Sequence, residues 1–394
     1  MKVAIVGTDL SALLCAWYLR NVADVTIINP EKSIAGFCPN YRWRTDSTVV
    51  SLDHLLFAFD RSQSHNTNRL LNSLGIALDE YAVDCNFSLD GNLQPAAYVS
   101  ATSQHPFIFA DEKPNWRNIF SSQPFVDLTL DMMSTQVGVA KTLLDRYFFT
   151  PQLTAAADAI SHSSMSSFSF CNYQPAPLSD KRFAYIPSSL ELSNRLVQRS
   201  KSTMLLSQNI THVDISSDNR PHCIYLANNG VLDADHIIFS RIPYGFMLDE
   251  GLTPALAYFQ SIKLREHTSI LHNWPGVLTH QQQSLSPVQY HYWHTSLGVS
   301  YRLKRLPALA QPIYLSHNVA FDIPSSAIID KQTMLLPSYS EQTYAAQAAL
   351  QPLQGQADIW FTGSRCCDSD IESLVTQALG ICQRISAASH SPVH

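Results

Sequence analysis

Apolar residues fall into two rhythms along this chain, and the alternation between them predicts its elements. The solid run Val3–Val6 predicts a buried parallel strand, Ser11–Asn21 has helical spacing, and "DVTIINP" (Asp24–Pro30) predicts a second strand. Together they form one β-α-β unit, because two parallel strands need a crossover of about this length. "TNRLLNSLGI" (Thr67–Ile76) predicts a helix stopped by Gly75, and residues 120–172 carry helical periodicity interrupted at Pro151. "SSLELSNRLVQRS" (Ser188–Ser200), with Leu190, Leu192, Leu196 and Val197, predicts an amphipathic helix.

Three strands follow in "NITHVDIS", "HCIYLAN" and "HIIFSRIP". From Ile270 to Ala320, alternating strings such as "VQYHYWHTSLGVSYRLKRL" predict a largely antiparallel sheet. "SEQTYAAQAALQPL" predicts a helix, "ADIWFTGS" a buried strand ending at Gly363, and "DIESLVTQALGICQRISAAS" a closing helix. With no repeat or low-complexity linker, the expected fold class is α/β with α+β inserts. Residues 1–90, 183–245 and 335–394 are expected to form one discontinuous Rossmann-like domain. Residues 91–182 and 246–334 are expected to form a second domain of antiparallel sheet and helices.

Composition narrows the functional classes. At 394 residues and 45% hydrophobic content, the chain can bury a sizeable core. Net charge is −6 and the 26 Lys and Arg are scattered, which excludes a nucleic-acid footprint. No 18-residue apolar stretch and no cleavable leader pattern occur, so a cytoplasmic protein without a transmembrane segment is expected. Eight cysteines without C-x-x-C fit reduced thiols. The adjacent Cys366 and Cys367 fit a turn better than a redox pair, since neighbouring cysteines bridge only with strain. No H-x-x-x-H on a helix beside an acid, no G-x-S-x-G and no Walker loop occur, so no metal site, hydrolase or phosphotransfer chemistry is expected.

Glycine changes the picture most. There are 13, about half the usual share of roughly 7%. Dinucleotide folds want positions without a Cβ where backbone approaches phosphate. In "VGTDLSA", Gly7 holds the first place of G-x-G-x-x-G, but Asp9 and Ala12 hold the second and third.

"VAIVGTDLSALLCAWYL" followed by "DVTIINPEKSIAGF" resembles the opening of flavin amine oxidase-like proteins. "LLDRYFFTPQLTAAADAIS", "VSYRLKRL", "YAAQAALQPLQGQADIWFTGS" and "ESLVTQAL" are similar, in order, to a bacterial branch of NAD/FAD-binding proteins often found beside cyclopropane fatty acid synthases. The resemblance runs over nearly the whole chain. It implies an FAD-binding domain of the amine oxidase/glutathione reductase type, FAD as cofactor, and an oxidoreductase acting on a mainly apolar small molecule or acyl substrate.

The resemblance also places cofactor contacts. Gly7, Asp9, Ser11 and Ala12 stand at the phosphate turn, Asn29 in place of the acidic residue on the ribose, and Glu31 two residues beyond. Gly36 keeps half of a glycine pair, Val213 sits where a strand meets adenine, and Gly363 and Glu372 stand by the flavin. Four departures point the other way. Asp9 brings a charge to the phosphates, and at an effective dielectric near 20 two like charges about 4 Å apart repel by roughly 4 kcal/mol. Turned back, Asp9 would instead cap the helix. Asn29 lacks the charge of an acid, Pro187, Ser188 and Ser189 replace glycines before the middle helix, and Leu374 and Ala378 replace glycines near the ring. The alternative expectation is therefore a cofactor-free homologue acting as a binding or assembly partner of another enzyme.

Outside the nucleotide motifs, "QYHYWH" puts Tyr290, Tyr292 and His294 on one face of a strand. Tyr292 and His294 are candidates for an aromatic wall with a histidine acid or base, and sheet core is the competing reading. By the resemblance, Asp53 and His54 fall near a substrate-side loop. Lys304 is set aside, because the branch has an asparagine there.

Overall fold

The computed structural model describes residues 1–34, 38–44, 49–61, 64–82, 85–89, 92–93, 182–216, 220–242, 247–248, 253–277, 288–293, 296–303, 312–319, 321–337, 341–367 and 370–388. The elements that matter for the site are, in chain order, β1 (Lys2–Val6), α1 (Leu10–Leu19), β2 (Asp24–Asn29), α2 (His65–Leu74), α3 (Ser189–Ser200), β3 (Thr203–Leu206), β4 (Ile210–Asp214) and β5 (His236–Phe239). They continue with α4 (Thr253–Ser261), β6 (Leu264–His272), β7 (Val288–Trp293), β8 (Ser296–Leu303), β9 (Ile313–His317), β10 (Ile328–Pro337), α5 (Glu341–Leu350), β11 (Ile359–Phe361) and α6 (Ile371–Ala388).

A five-stranded parallel sheet in the order β3-β2-β1-β5-β11 forms the centre. Its strands are solid apolar runs because both faces are covered. Val3, Ile5, Val25 and Ile27 pack with Leu13 and Leu14 of α1, Leu192 and Leu196 of α3, and Val375 and Ile381 of α6. Ala4, Val6, Ile28, Ile237 and Phe239 turn the other way, onto Val213 of β4, Phe259 of α4 and Leu350 of α5. The chain leaves β1 toward β2 and β3 on one side and returns to its other side for β5 and β11. The crevice at the carboxyl ends of β1 and β5 is thus a topological switch point, where open α/β sheets hold their ligands.

The remaining strands are mainly antiparallel. A seven-stranded sheet runs β10-β6-β9-β8-β7 and ends with Cys85–Leu89 and Asn92–Leu93. A four-stranded sheet joins β4 to His222–Leu226, Val231–Ala234 and Met247–Leu248. The described parts of the alternating region 270–320 form β7, β8, β9 and the end of β6, antiparallel as expected. α1 ends at Leu19, two residues before the expected Asn21, with Arg20 as its C-cap. α2 stops at Gly75 in the left-handed region, as its sequence predicts. The helical periodicity of 120–172 lies outside the described residues. No described helix is long and apolar enough to cross a membrane. Cys15, Cys38, Cys223, Cys366 and Cys382 form no disulfide, and the Cys366 N–H bonds to the Gly363 carbonyl at 2.8 Å in a turn.

Candidate functional site

At the switch point two glycines are obligatory. Gly7 leaves β1 with φ +116°, a conformation L side chains rarely adopt, and a Cβ there would stand 2.2 Å from Ser240 Oγ. Its N–H donates to the Ile28 carbonyl at 2.9 Å, while the Ser240 hydroxyl donates to the Val6 carbonyl at 3.0 Å. Gly363, just past β11, has φ +101°, and a Cβ on it would lie 3.2 Å from Asp9 Oδ2. Its N–H donates to Gln377 Oε1 at 3.0 Å.

Asp9 stands between these turns and is turned back onto its own helix. Its extended backbone makes it the N-cap of α1, and Oδ1 accepts the Ala12 N–H at 2.9 Å. The Ser11 N–H also bonds to the carboxylate, and the Ser240 hydroxyl, whose single proton goes to the Val6 carbonyl, lies beside it. Burial pushes this carboxyl up to about 6, although the bonds from Ala12 and Ser11 and the charge of Arg241 oppose the shift. At neutral pH it is mostly an anion. The helix N–H groups that would meet a ligand phosphate are thus bonded to a side chain, and a negative charge stands among them. This donor set does not fit the diphosphate of FAD. The stem of Arg241 crosses over Gly7, and its guanidinium lies 4.0 Å from Glu31 at the far side of the crevice.

Two neighbouring groups are unsatisfied. Ser11 Oγ is buried without a hydrogen-bond partner, and neither side-chain atom of the fully buried Asn29 has one. Asn29 ends β2 next to Ile28, the acceptor of the Gly7 N–H, so both groups flank the turn. Each unmade bond of this kind costs about 1–3 kcal/mol.

Gly7, Asp9, Ser11, Asn29, Glu31 and Gly363 therefore converge on one crevice. Glu372 does not. Its carboxylate accepts the N–H groups of Asn66 and Thr67 and the Thr67 hydroxyl, so it caps α2. Val213 puts its side chain in the core, and its strand is flanked by Ile224 and Leu248. Ala12, Leu374 and Ala378 are buried in the core where α1 meets α6. The N-terminus of α3 is capped by its own Ser188 and by Asp53, whose oxygens accept the Ser189 N–H at 2.5 Å and hydroxyl at 2.9 Å. Burial pushes the Asp53 carboxyl up to about 7. Gly36, His294 and Lys304 lie outside the described residues; Tyr292 lies in β7, opposite Leu297.

Sequence reasoning singled out His54 but missed the buried histidine layer it joins on the seven-stranded sheet. His54 Nδ1 lies 2.9 Å from Ser269 Oγ and Nε2 3.0 Å from Asp330 Oδ2. His267 and His317 share a 2.9 Å bond, and His272 bonds Ser316, which bonds Ser300. Burial pushes His54 and His317 below their ordinary range and His272 down to about 4. The one sequence signal was the recurrence of histidine in otherwise apolar strands. Among the described residues no His, Cys, Asp and Glu group could hold a metal ion.

No family model matches the chain, and no curated protein matches it in sequence. Solved structures do. A putrescine oxidase bound to putrescine is 12% identical over 99% of both chains, with a TM-score of 0.68. The CLA-producing fatty acid isomerase of P. acnes is 12% identical over 98% of both chains, also at 0.68. The cyclohexylamine oxidase of Brevibacterium oxydans is 11% identical over 99% of both, at 0.67. The chain has the amine oxidase fold. Amine oxidase architecture accounts for nearly its whole length, whereas the narrower bacterial branch rests on the sequence strings alone.

Proposed function

We propose that this chain keeps the amine oxidase fold without a flavin and works as a binding or assembly partner of another enzyme. One observation carries the reading: the Asp9 carboxylate holds the N–H groups of Ser11 and Ala12 that a diphosphate would need. The glycine losses support it, because Leu374 and Ala378 serve the core; Glu372 also supports it, since its carboxylate serves α2. A fold can outlive its chemistry, since the packing that maintains it is independent of the site. The test is the purified protein's absorption spectrum, FAD release on denaturation and FAD titration, all expected to be blank. Stoichiometric FAD would overturn the reading. The partner role predicts that adding the purified chain changes the activity of the enzyme it copurifies with in fixed ratio.

A second reading is an FAD-dependent oxidoreductase acting on a mainly apolar small molecule or acyl substrate. It is favoured by the unpartnered Ser11 Oγ and Asn29 amide and by the conformations of Gly7 and Gly363. The matched structures are named as oxidases and an isomerase of small molecules, which supports it at the level of fold. FAD would supply the redox chemistry, and Tyr292 and His294 would belong to the substrate wall.

A further inference from the structure

We infer that the two-stranded ribbon of Asn40–Arg44 and Val49–Asp53 is the docking edge for an acidic, extended segment of the partner enzyme, which adds a third strand beside Arg42 and Arg44. This inference deepens the partner reading above and rests on it. The two strands pair antiparallel, from Asn40 opposite Asp53 to Arg44 opposite Val49. Among the described residues they join no larger sheet, and no other backbone takes the outward N–H and carbonyl groups of Tyr41–Arg44. An open edge of this kind is a template for another extended chain.

The two faces of the ribbon set what that chain must carry. Tyr41 and Trp43, half-buried with their rings 6.1 Å apart, share one face with the buried Leu52. Arg42 and Arg44 are exposed on the other, opposite Ser51 and Val49. Neither guanidinium has an ion-pair or hydrogen-bond partner among the described residues, and the Ser51 hydroxyl has none either. Two unpaired arginines thus stand together in a chain of net charge −6. Val49, 63% exposed, adds an apolar contact beside Arg44.

Spacing selects the occupant. Residues two apart on a strand project from one face about 6.6 Å apart, so carboxylates at alternate positions of an added strand meet Arg42 and Arg44 in register. Each guanidinium can then take a carboxylate with two parallel hydrogen bonds. A second copy of the ribbon does not fit, because pairing Asn40–Arg44 with itself about Trp43 would set Arg42 against Arg44.

The experiment is a fluorescence-anisotropy titration of the full chain into a labelled peptide of alternating glutamate and valine. Three control peptides carry glutamine for glutamate, the same residues with the glutamates contiguous, or N-methylated backbone amides. The wild type is expected to bind the alternating peptide, less tightly as salt rises, and each control roughly tenfold more weakly. The double variant Arg42→Glu, Arg44→Glu should lose the binding, with Arg42→Gln, Arg44→Gln as the milder change should the first not fold. Equal binding of the glutamine or N-methylated peptide, or by a folded double variant, overturns the inference. Displacement of the peptide by equimolar inorganic phosphate also overturns it and assigns the arginines to a small anion. The absorption spectrum keeps the two readings apart: a flavin-free wild type that ignores the peptide sinks this inference alone, and a flavin-loaded one sinks the reading beneath it.

Discussion

Glu372 and Thr67 are joined by a 2.6 Å bond between carboxylate and hydroxyl, across 305 positions of sequence. The same carboxylate accepts the Thr67 N–H at 2.8 Å and the Asn66 N–H at 3.0 Å. The first turn of α6 thus supplies the cap that Ser64, which makes no side-chain bond to α2, leaves out. Glu372→Ala should therefore destabilise the protein by about 1–3 kcal/mol in urea denaturation. Glu372→Gln, which keeps one acceptor, should lose less, and ligand retention should be the same in both.

For Asp9 the pH dependence has a definite sign. Its carboxyl rises from 3.8 to about 6 on folding, so the folded state binds the proton more readily than the unfolded chain. The stability this contributes is complete below about 3.8 and is lost as pH rises through 6. Asp9→Asn should accordingly be more stable than wild type at pH 8, by on the order of 1–3 kcal/mol, with the gap closing toward pH 4. Parallel chemical denaturation of both proteins across that range measures it.

The histidine layer has the opposite sign. His272 Nδ1 accepts the Trp274 N–H and its Nε2 donates to Ser316, so the neutral ring is required by its neighbours. His267 is held similarly, its Nδ1 facing the Asn318 amide nitrogen at 2.8 Å and its other nitrogen facing His317. Burial holds His272 near 4 against 6.5 in the unfolded chain, so its contribution is complete above 6.5 and drains as pH falls toward 4. His272→Gln should flatten the acid limb of a plot of stability against pH by on the order of 1–3 kcal/mol. An unchanged limb would remove His272 from the cause.

Gly7→Ala should unfold the protein at lower denaturant, by about 1–3 kcal/mol or more, whether or not a nucleotide is bound. The added Cβ meets Ser240 Oγ at 2.2 Å, and φ +116° is itself strained for alanine. Removing the hydroxyl with Ser240→Ala should recover part of the loss by relieving the collision while leaving the backbone strain. No recovery would assign the whole cost to the dihedral.

The sequence by itself determined β1, β2, β5 and β11 of the parallel core, though not its edge strand Thr203–Leu206, and the place of the turn after β1. Val3–Val6 and Ile237–Phe239 are uninterrupted apolar runs, and Val25–Ile28 is broken only by Thr26, because a doubly covered sheet has no solvent face, and that rule is local enough to read from one string. Gly7 and Gly363 were legible for a similar reason, since each answers to its own dihedral angle. Only tertiary structure decided what the polar residues do. Asp9 allowed both a repelling charge and a helix cap, and contact with Ser240 and Gly363, just past strands far along the chain, accompanies the cap. Glu372 was read beside a flavin, yet its partners belong to α2, and no string near residue 372 contains that information. His54 meets Asp330 and Ser269 only after three segments are brought together. Apolar burial follows periodicity along the chain, whereas a hydrogen bond needs a specific atom within about 3 Å, and packing alone brings distant segments that close.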